Sequence, residues 1–386
     1  MLCPEQITLR EIHLPLREPF RISSGVVDER RIALLQIVDA DGVTAWSECV
    51  AGEYPNYSPE TIDTAWHAIV EWIAPRVLGR SFNDPREISP TLEKDFRGHL
   101  MAKAAVEMGM WVLAAARLGT SLANLLGGTR TEIATGISLG IQPSPEALVE
   151  KARAALALGY RKVKIKIAPG TDVEYIAAVR EAVGGTAPLM ADANNAYTPG
   201  DTDHLALLDN FELMMIEQPF AFDDLVQHAQ LQRRLRTPIC LDESITSLDR
   251  ARDMVALGSG RIVNIKPGRV GGFGASLAIN AFCESKGIPV WCGGMLESGI
   301  GRACNVALAS LRNFTKPGDV SPSARYWERD IVTPEWTMSA DGMVRVPFDR
   351  RGLGVDVDVG RVDNLTVRTV KLSAPRSRAS AGAAAG

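Results

Sequence analysis

Runs dense in apolar and β-branched residues with polar ones interspersed, ITLREIHLPL (7–16), RIALLQIVD (31–39) and VTAWSECVA (43–51), read as strands. Asp39-Ala40-Asp41-Gly42 supplies a hairpin turn between the last two. PFRISSGVVDER (19–30), rich in small and polar residues, reads as a loop joining the first two. The spacing then predicts helices over 59–75 and 89–117, the second ending in the apolar run MGMWVLAAA. Residues 1–125 therefore read as an α+β segment.

From Glu132 the rhythm changes. Short β-branched runs alternate with amphipathic helical stretches: IATGISLGI (133–141), KVKIKI (162–167), PLMADAN (188–194), LMMIEQP (213–219), PICLDES (238–244), RIVNIKP (261–267) and PVWCGG (289–294). Each unit has room for one strand, one helix and two short loops. Seven evenly spaced units favour a closed parallel β/α barrel over a doubly wound open sheet, with an eighth strand expected after Phe314. The expected architecture is α/β: a modified TIM (β/α) barrel over 126–325, capped by an α+β domain built from both chain ends, 1–125 and 326–372. VRVPFDRRGLGVDVD (344–358) reads as the strands that return to the cap, and 373–386 as a disordered tail.

Composition narrows the function classes. With 46% apolar residues, 23% charged residues and a net charge of −4, the chain reads as an ordinary globular protein without a nucleic-acid or membrane partner. No run of 18 apolar residues exists, and MLCPEQITLREIHLP lacks the pattern of a secretory signal, so a cytoplasmic protein is expected. The six cysteines form no CxxC pair and read as reduced thiols; the five histidines are scattered. No HExxH or GxSxG occurs, so acid–base chemistry falls to carboxylates and lysines.

The exits of the barrel strands, where such folds carry their chemistry, hold those residues. The third, fourth and fifth strands end in Asp192, Glu217 and Asp242, each 25 residues after the last. Three carboxylates converging at one mouth would repel and take up protons. A hard divalent cation resolves this, and an all-oxygen set suits Mg²⁺ best and Mn²⁺ next. The second strand carries Lys164 and Lys166 on one face, and the sixth ends in Lys266. Lys162 shares their parity but stands at the strand's start, far from the mouth. Strands two and six lie opposite each other in an eight-stranded ring. A small-molecule carboxylate bound between them would present its α-carbon to an amine on either side. Such a site can remove an α-proton and stabilise the enediolate.

With these residues in place the chain resembles the muconate-lactonizing subgroup of the enolase superfamily. DANNAY (192–197), EQP (217–219), LDES (241–244), NIKPGRVGG (264–272) and GGMLESGIGR (293–302) resemble its o-succinylbenzoate synthase / N-acylamino acid racemase family. The resemblance implies Lys166 and Lys266 as acid/base catalysts, Lys164 as the enolate stabiliser, and Asp192, Glu217 and Asp242 as metal ligands. It implies substrate contacts from Asn194, Ser138 and, in the cap, from the loop Phe20–Gly25 with Ser23, and from Tyr57. Gly293, Gly294 and Met295 would bound the side-chain pocket, where missing side chains leave room. Glu243 and Arg269 would support the lysine and metal shell. It further implies a homo-oligomer and a place in menaquinone biosynthesis.

Other readings stand beside it. Gly268, Gly271, Gly272 and Gly274 suggest a phosphate-cradling loop but miss G-x-G-x-x-G, which favours a tight turn. Tyr326 and Trp327 fit a pocket wall or the core. Dipeptide epimerisation is disfavoured because GDVSPSARYW (318–327) carries only Asp319 where that activity uses D-x-D. Muconate cycloisomerisation is the other sister activity, and a non-catalytic barrel scaffold the reading from a different class.

Overall fold

The computed structural model of the chain describes residues 1–22 and 25–375. At one end lies an antiparallel sheet in which the C-terminal strand Thr366–Ser373 is followed by β1 (Pro4–Ile22), β2 (Gly25–Asp39) and β3 (Thr44–Cys49). Ile7, Leu9, Ile12 and Leu14 of β1 are buried, the parity changing where the pairing with the C-terminal strand shifts between Glu11 and Ile12. Helix α1 (Leu100–Arg117) packs on β3 and β2, and its far side meets the short helix Pro267–Val270. Contacts on both sides explain why it is buried around its whole circumference from Met101 to Ala115, with Lys103 and Glu107 as its charged residues there.

Two expectations for this layer are corrected. The loop over 19–30 is a continued ribbon: β1 and β2 pair again from Phe20↔Val27 after an irregularity that starts at Pro15↔Glu29. Pro15 and Pro19 lack the N–H that a ladder needs, so pairing skips there and resumes. Ser23 lies outside the described residues. The helix expected over 89–117 is two, Ile88–Glu93 and α1, parted where Asp95, Gly98 and His99 adopt positive φ. The helix over 59–75 begins as α (Ile62–Ala68) and ends in π and 3₁₀ turns up to Arg76.

The barrel is a seven-stranded parallel sheet in chain order: β4 (Ile137–Leu139), β5 (Val163–Lys166), β6 (Leu189–Asp192), β7 (Ile216–Glu217), β8 (Ile239–Leu241), β9 (Ile262–Ile265) and β10 (Val290–Cys292). The eighth position is filled without a regular strand. Phe314 bridges Val290 and Gly318 bridges Thr135, and Pro317 between them removes a ladder donor. The run 133–141 is also not one strand. Glu132–Ala134 pairs antiparallel with Met343–Arg345 outside the ring, and only Ile137–Leu139 enters it.

The C-terminal expectation shifts as well. Residues 344–358 do not return to the cap sheet: their strands pair with Glu132–Ala134 and with Val332–Thr333. The returning strand is Thr366–Ser373, on β1. The expected tail therefore starts too early, since Ser373 pairs with Gln6 and the Ala374 amide bonds Glu5.

Two buried glutamates of the cap grip barrel helices. Glu107 accepts hydrogen bonds from the amides of Phe273 and Gly274 at the start of α2 (Phe273–Ser285). Glu48 accepts from Ser298 and Gly301 at the start of α3 (Gly299–Ala309). The glycine-rich turn is thereby explained. Gly272 has φ +113°, and a Cβ there would lie 2.3 Å from Glu107 Oε2, so a carboxylate of the protein itself fills the place of a phosphate. Tyr326 and Trp327 are buried core residues, and all six cysteines are free thiols. Among the described residues no helix is long and apolar enough to cross a membrane.

Candidate active site

Asp192 and Glu217 close β6 and β7 in register, and Asp242 follows β8 by one residue; all three are buried. The chain turns sharply beyond them. Asn194, Asn195 and Gln218 sit at φ +43°, +64° and +39°, a region that costs a non-glycine residue about 1 kcal/mol and concentrates at functional sites. The Gln218 side chain holds one such corner, accepting from the Asp242 and Ser244 amides and donating to Ser244 Oγ.

Lys164 and Lys166 point inward from β5, and Lys266 follows β9 on the opposite wall. Lys166 Nζ donates to Asp192 Oδ2 at 2.7 Å and to Asn194 Oδ1. Lys266 Nζ donates to Asp242 Oδ2 at 2.7 Å and to the Tyr57 hydroxyl at 3.2 Å, lying 4.5 Å from the centre of that ring. Lys164 Nζ stands 3.1 Å from Asp192 and 3.3 Å from Glu217. The environments differ. Burial pulls Lys166 below the usual lysine range, and its carboxylate neighbours do not compensate. Burial also opposes the charge of Lys266, but Tyr57 and Glu217 outweigh it and hold that lysine above the usual range.

The carboxylates are an all-oxygen donor set of the kind a hard cation takes. Burial first, and then Asp192, pushes Glu217 up to about 7, although Lys164 opposes the shift. Burial opposes the charge of Asp192 too, yet Lys166 and Lys164 hold it well below the usual range. Asp242 is turned away from the other two. It contacts Lys266, the Arg269 guanidinium and the Tyr57 hydroxyl, the last at 2.9 Å. As they stand, no three His, Cys, Asp or Glu side chains among the described residues are gathered to hold a metal. The donor set suits Mg²⁺, and its lysine and arginine partners occupy the carboxylates that such an ion would share.

The supporting residues fall around these groups. Arg269 ties Asp242 to the carbonyls of Ile245 and Asn264 and reaches Tyr57 Oη at 3.2 Å. Glu243 accepts from Asn194 and Asn195, each at 3.2 Å, and its other oxygen is buried without a hydrogen bond. Ser138 lies beside Lys164 in register, its buried hydroxyl unpartnered. At strand seven the missing side chains do not leave free room. A Cβ on Gly293 would meet Lys266 Cε at 2.6 Å, and one on Gly294 the Asp319 carbonyl at 2.8 Å. Met295 is half-buried, its amide bonded to Glu297. Phe20 is half-buried on β1, paired with Val27 of β2.

Three residues escaped the sequence reading. Asn264 donates to Glu217 Oε1 at 2.7 Å; it lies in NIKP, and its position two residues before Lys266 was the available signal. Lys162 does start far down the barrel, but its long stem carries the ammonium to Asp319 Oδ1 at 3.0 Å. Asp319 also binds Lys164, at 2.5 Å, and so belongs to the site.

Residues 5–127 match the mandelate racemase / muconate lactonizing enzyme N-terminal domain, and residues 147–361 match the family described as enolase C-terminal domain-like. An o-succinylbenzoate synthase of Geobacillus stearothermophilus is 49% identical over 94% of this chain and 96% of its own. An N-succinylamino acid racemase of Thermus thermophilus is 47% identical over 94% and 97%. Among solved structures, an enolase superfamily member from Listeria innocua superposes with a TM-score of 0.93 at 38% identity, covering 97% of this chain and 100% of its own. The chain belongs to the mandelate racemase / muconate lactonizing enzyme family of the enolase superfamily.

Proposed function

We propose that the protein removes the α-proton of a small carboxylate, acting as an o-succinylbenzoate synthase, an N-succinylamino acid racemase, or both. The observation that carries this reading is the pair of buried lysines, Lys166 on β5 and Lys266 after β9, four strands apart around the ring. The names of relatives 47% and 49% identical over nearly the full chain support it.

Asp192, Glu217 and Asp242 would hold Mg²⁺, with Mn²⁺ as the second choice, and the bound ion would supply Lewis-acid stabilisation of negative charge on the substrate carboxylate. The rest is done by side chains. One lysine takes the α-proton as the C–H electron pair moves into the carboxylate, giving an enediolate. Lys164 faces that charge as a fixed cation. In racemisation the other lysine delivers a proton to the opposite face of the α-carbon. In dehydration of a hydroxylated cyclohexadiene carboxylate, the C–O bond at the neighbouring carbon breaks and the hydroxyl leaves as water. We assign Lys166 as the base there, protonating the leaving group in a syn elimination, and Lys266 as a stabilising cation.

Asn194, Ser138, Tyr57, Phe20, Ser23 and the Gly293–Met295 wall would contact the substrate, and Glu243 and Arg269 would hold the reacting groups. The cap (1–125 with 326–372) would close over the barrel (126–325). Within the same proposal the enzyme is a cytoplasmic homo-oligomer that serves menaquinone synthesis. The purified protein with Mg²⁺ should racemise N-succinyl amino acids or form o-succinylbenzoate, and a chelator should stop both. Full activity after removal of divalent ions would contradict the reading, as would no turnover of either substrate with Mg²⁺ present.

A further inference from the structure

Below the reacting centre the barrel holds a layer of charge for which the proposed reaction has no use. Lys162, one residue before β5, is fully buried. Its stem runs where Gly136 has no side chain; a Cβ there would lie 2.5 Å from Lys162 Cε. The ammonium stands 3.6 Å from the centre of the Trp291 ring and 3.0 Å from Asp319 Oδ1. Trp291 itself packs with Met190, Met215, Cys240 and Ile262. An ammonium in such a layer is expensive, and a methionine would fill the same space without that cost.

Asp319 is what the lysine reaches. Its backbone is pinned: the amide bonds the Cys292 carbonyl, and its own carbonyl accepts from Arg302 at 2.9 Å. Its carboxylate is shared, Oδ1 with Lys162 and Oδ2 with Lys164 at 2.5 Å. Lys164 has two other anionic partners, Asp192 and Glu217, but both are candidate metal ligands. Asp319 is the one partner of Lys164 among these three that a metal would not claim. A lysine on a flexible stem stabilises developing charge well only if held in place beforehand.

We propose that Asp319 is a positioning residue. Braced on one oxygen by Lys162, which is held against Trp291, it fixes the Lys164 ammonium at the carboxylate end of the site. The proposal rests on the function above, in which Lys164 faces the charge of the enediolate.

The test compares wild type with Asp319→Asn, Lys162→Met and the double variant, each assayed for N-succinyl amino acid racemisation and o-succinylbenzoate formation at saturating Mg²⁺ and for thermal unfolding. Outer partners of catalytic groups typically contribute 10–100-fold. Asp319→Asn should therefore lower kcat by about 10–100-fold with KM within about threefold. Lys162→Met should lower kcat in the same direction. The double variant leaves neither buried charge unpaired, so it keeps the fold, and its kcat should fall no further than that of Asp319→Asn, because Lys162 acts through Asp319. A folded double variant with wild-type kcat would overturn the proposal, and so would single losses that multiply in the double variant. A wild type that neither racemises N-succinyl amino acids nor forms o-succinylbenzoate would overturn the underlying function instead; a wild type active in either reaction with an unimpaired Asp319→Asn in that reaction would overturn only the positioning role.

Discussion

Tyr57, on the cap, donates its hydroxyl hydrogen to Asp242 Oδ1 at 2.9 Å, joining residues 185 apart in sequence at the mouth of the barrel. The Tyr57 hydroxyl oxygen in turn accepts from Lys266 and from Arg269, each at 3.2 Å. One cap hydroxyl thus meets a candidate metal ligand, a candidate base and the arginine that braces the ligand.

Replacing Tyr57 by Phe keeps the ring over Lys266 and removes these three bonds. The expected loss in kcat/KM is about 10–100-fold, the usual effect of removing a partner of a reacting group. Thermal stability should change little, since Tyr57 is only half-buried. Steady-state kinetics check this, and wild-type kcat/KM would mark the hydroxyl as incidental.

Glu217→Gln separates metal binding from folding. Glu217 is buried and pushed up to about 7, by burial first, so a neutral amide of the same shape fits its surroundings. The variant should unfold near the wild-type temperature, bind Mg²⁺ much more weakly by calorimetry, and lose activity. Asp192→Asn and Asp242→Asn should likewise abolish activity. A fully active Asp242→Asn protein would remove that residue from the ligand set.

Stability should fall as pH rises through the neutral range. Burial, more than any neighbour, pushes Glu48 from 4.5 up to about 8 and Glu107 from 4.5 up to about 7. Between these limits the folded protein keeps protons that the unfolded chain has released, so their contribution is full below pH 4.5 and lost as pH rises through 7 and 8. For Glu48 the change is on the order of a few kcal/mol. Urea unfolding at several pH values should show a flatter profile in Glu48→Gln than in wild type, and equal slopes would contradict the assignment.

The barrel was legible because strand, helix and two loops repeat at nearly constant length, which sets Asp192, Glu217 and Asp242 at successive strand ends by counting alone; in the ladder Asp192 faces Glu217, and Asp242 lies two residues past Cys240, the partner of Glu217. What was not legible depended on backbone hydrogen bonding or on reach. Pro317 replaces the eighth strand by isolated bridges, and the strand that returns to the cap, TVRTVKLS, exposes one whole face and only half-buries Val370 and Leu372 on the other, so its core pattern is weak. Lys162 was read from its place in the chain and not from the length of its side chain. Gly293 suggested an open pocket, whereas the Lys266 stem and Asn264 take that space.

The central claim is that Lys166 and Lys266 serve opposite faces of one α-carbon. Each enantiomer of an N-succinyl amino acid is incubated with Lys166→Ala and with Lys266→Ala in D₂O, and loss of the α-proton is followed by NMR. Neither variant should racemise, and each should exchange the α-proton of one enantiomer only, the enantiomer differing between the two. Racemisation at the wild-type rate by either single variant would contradict the two-lysine site.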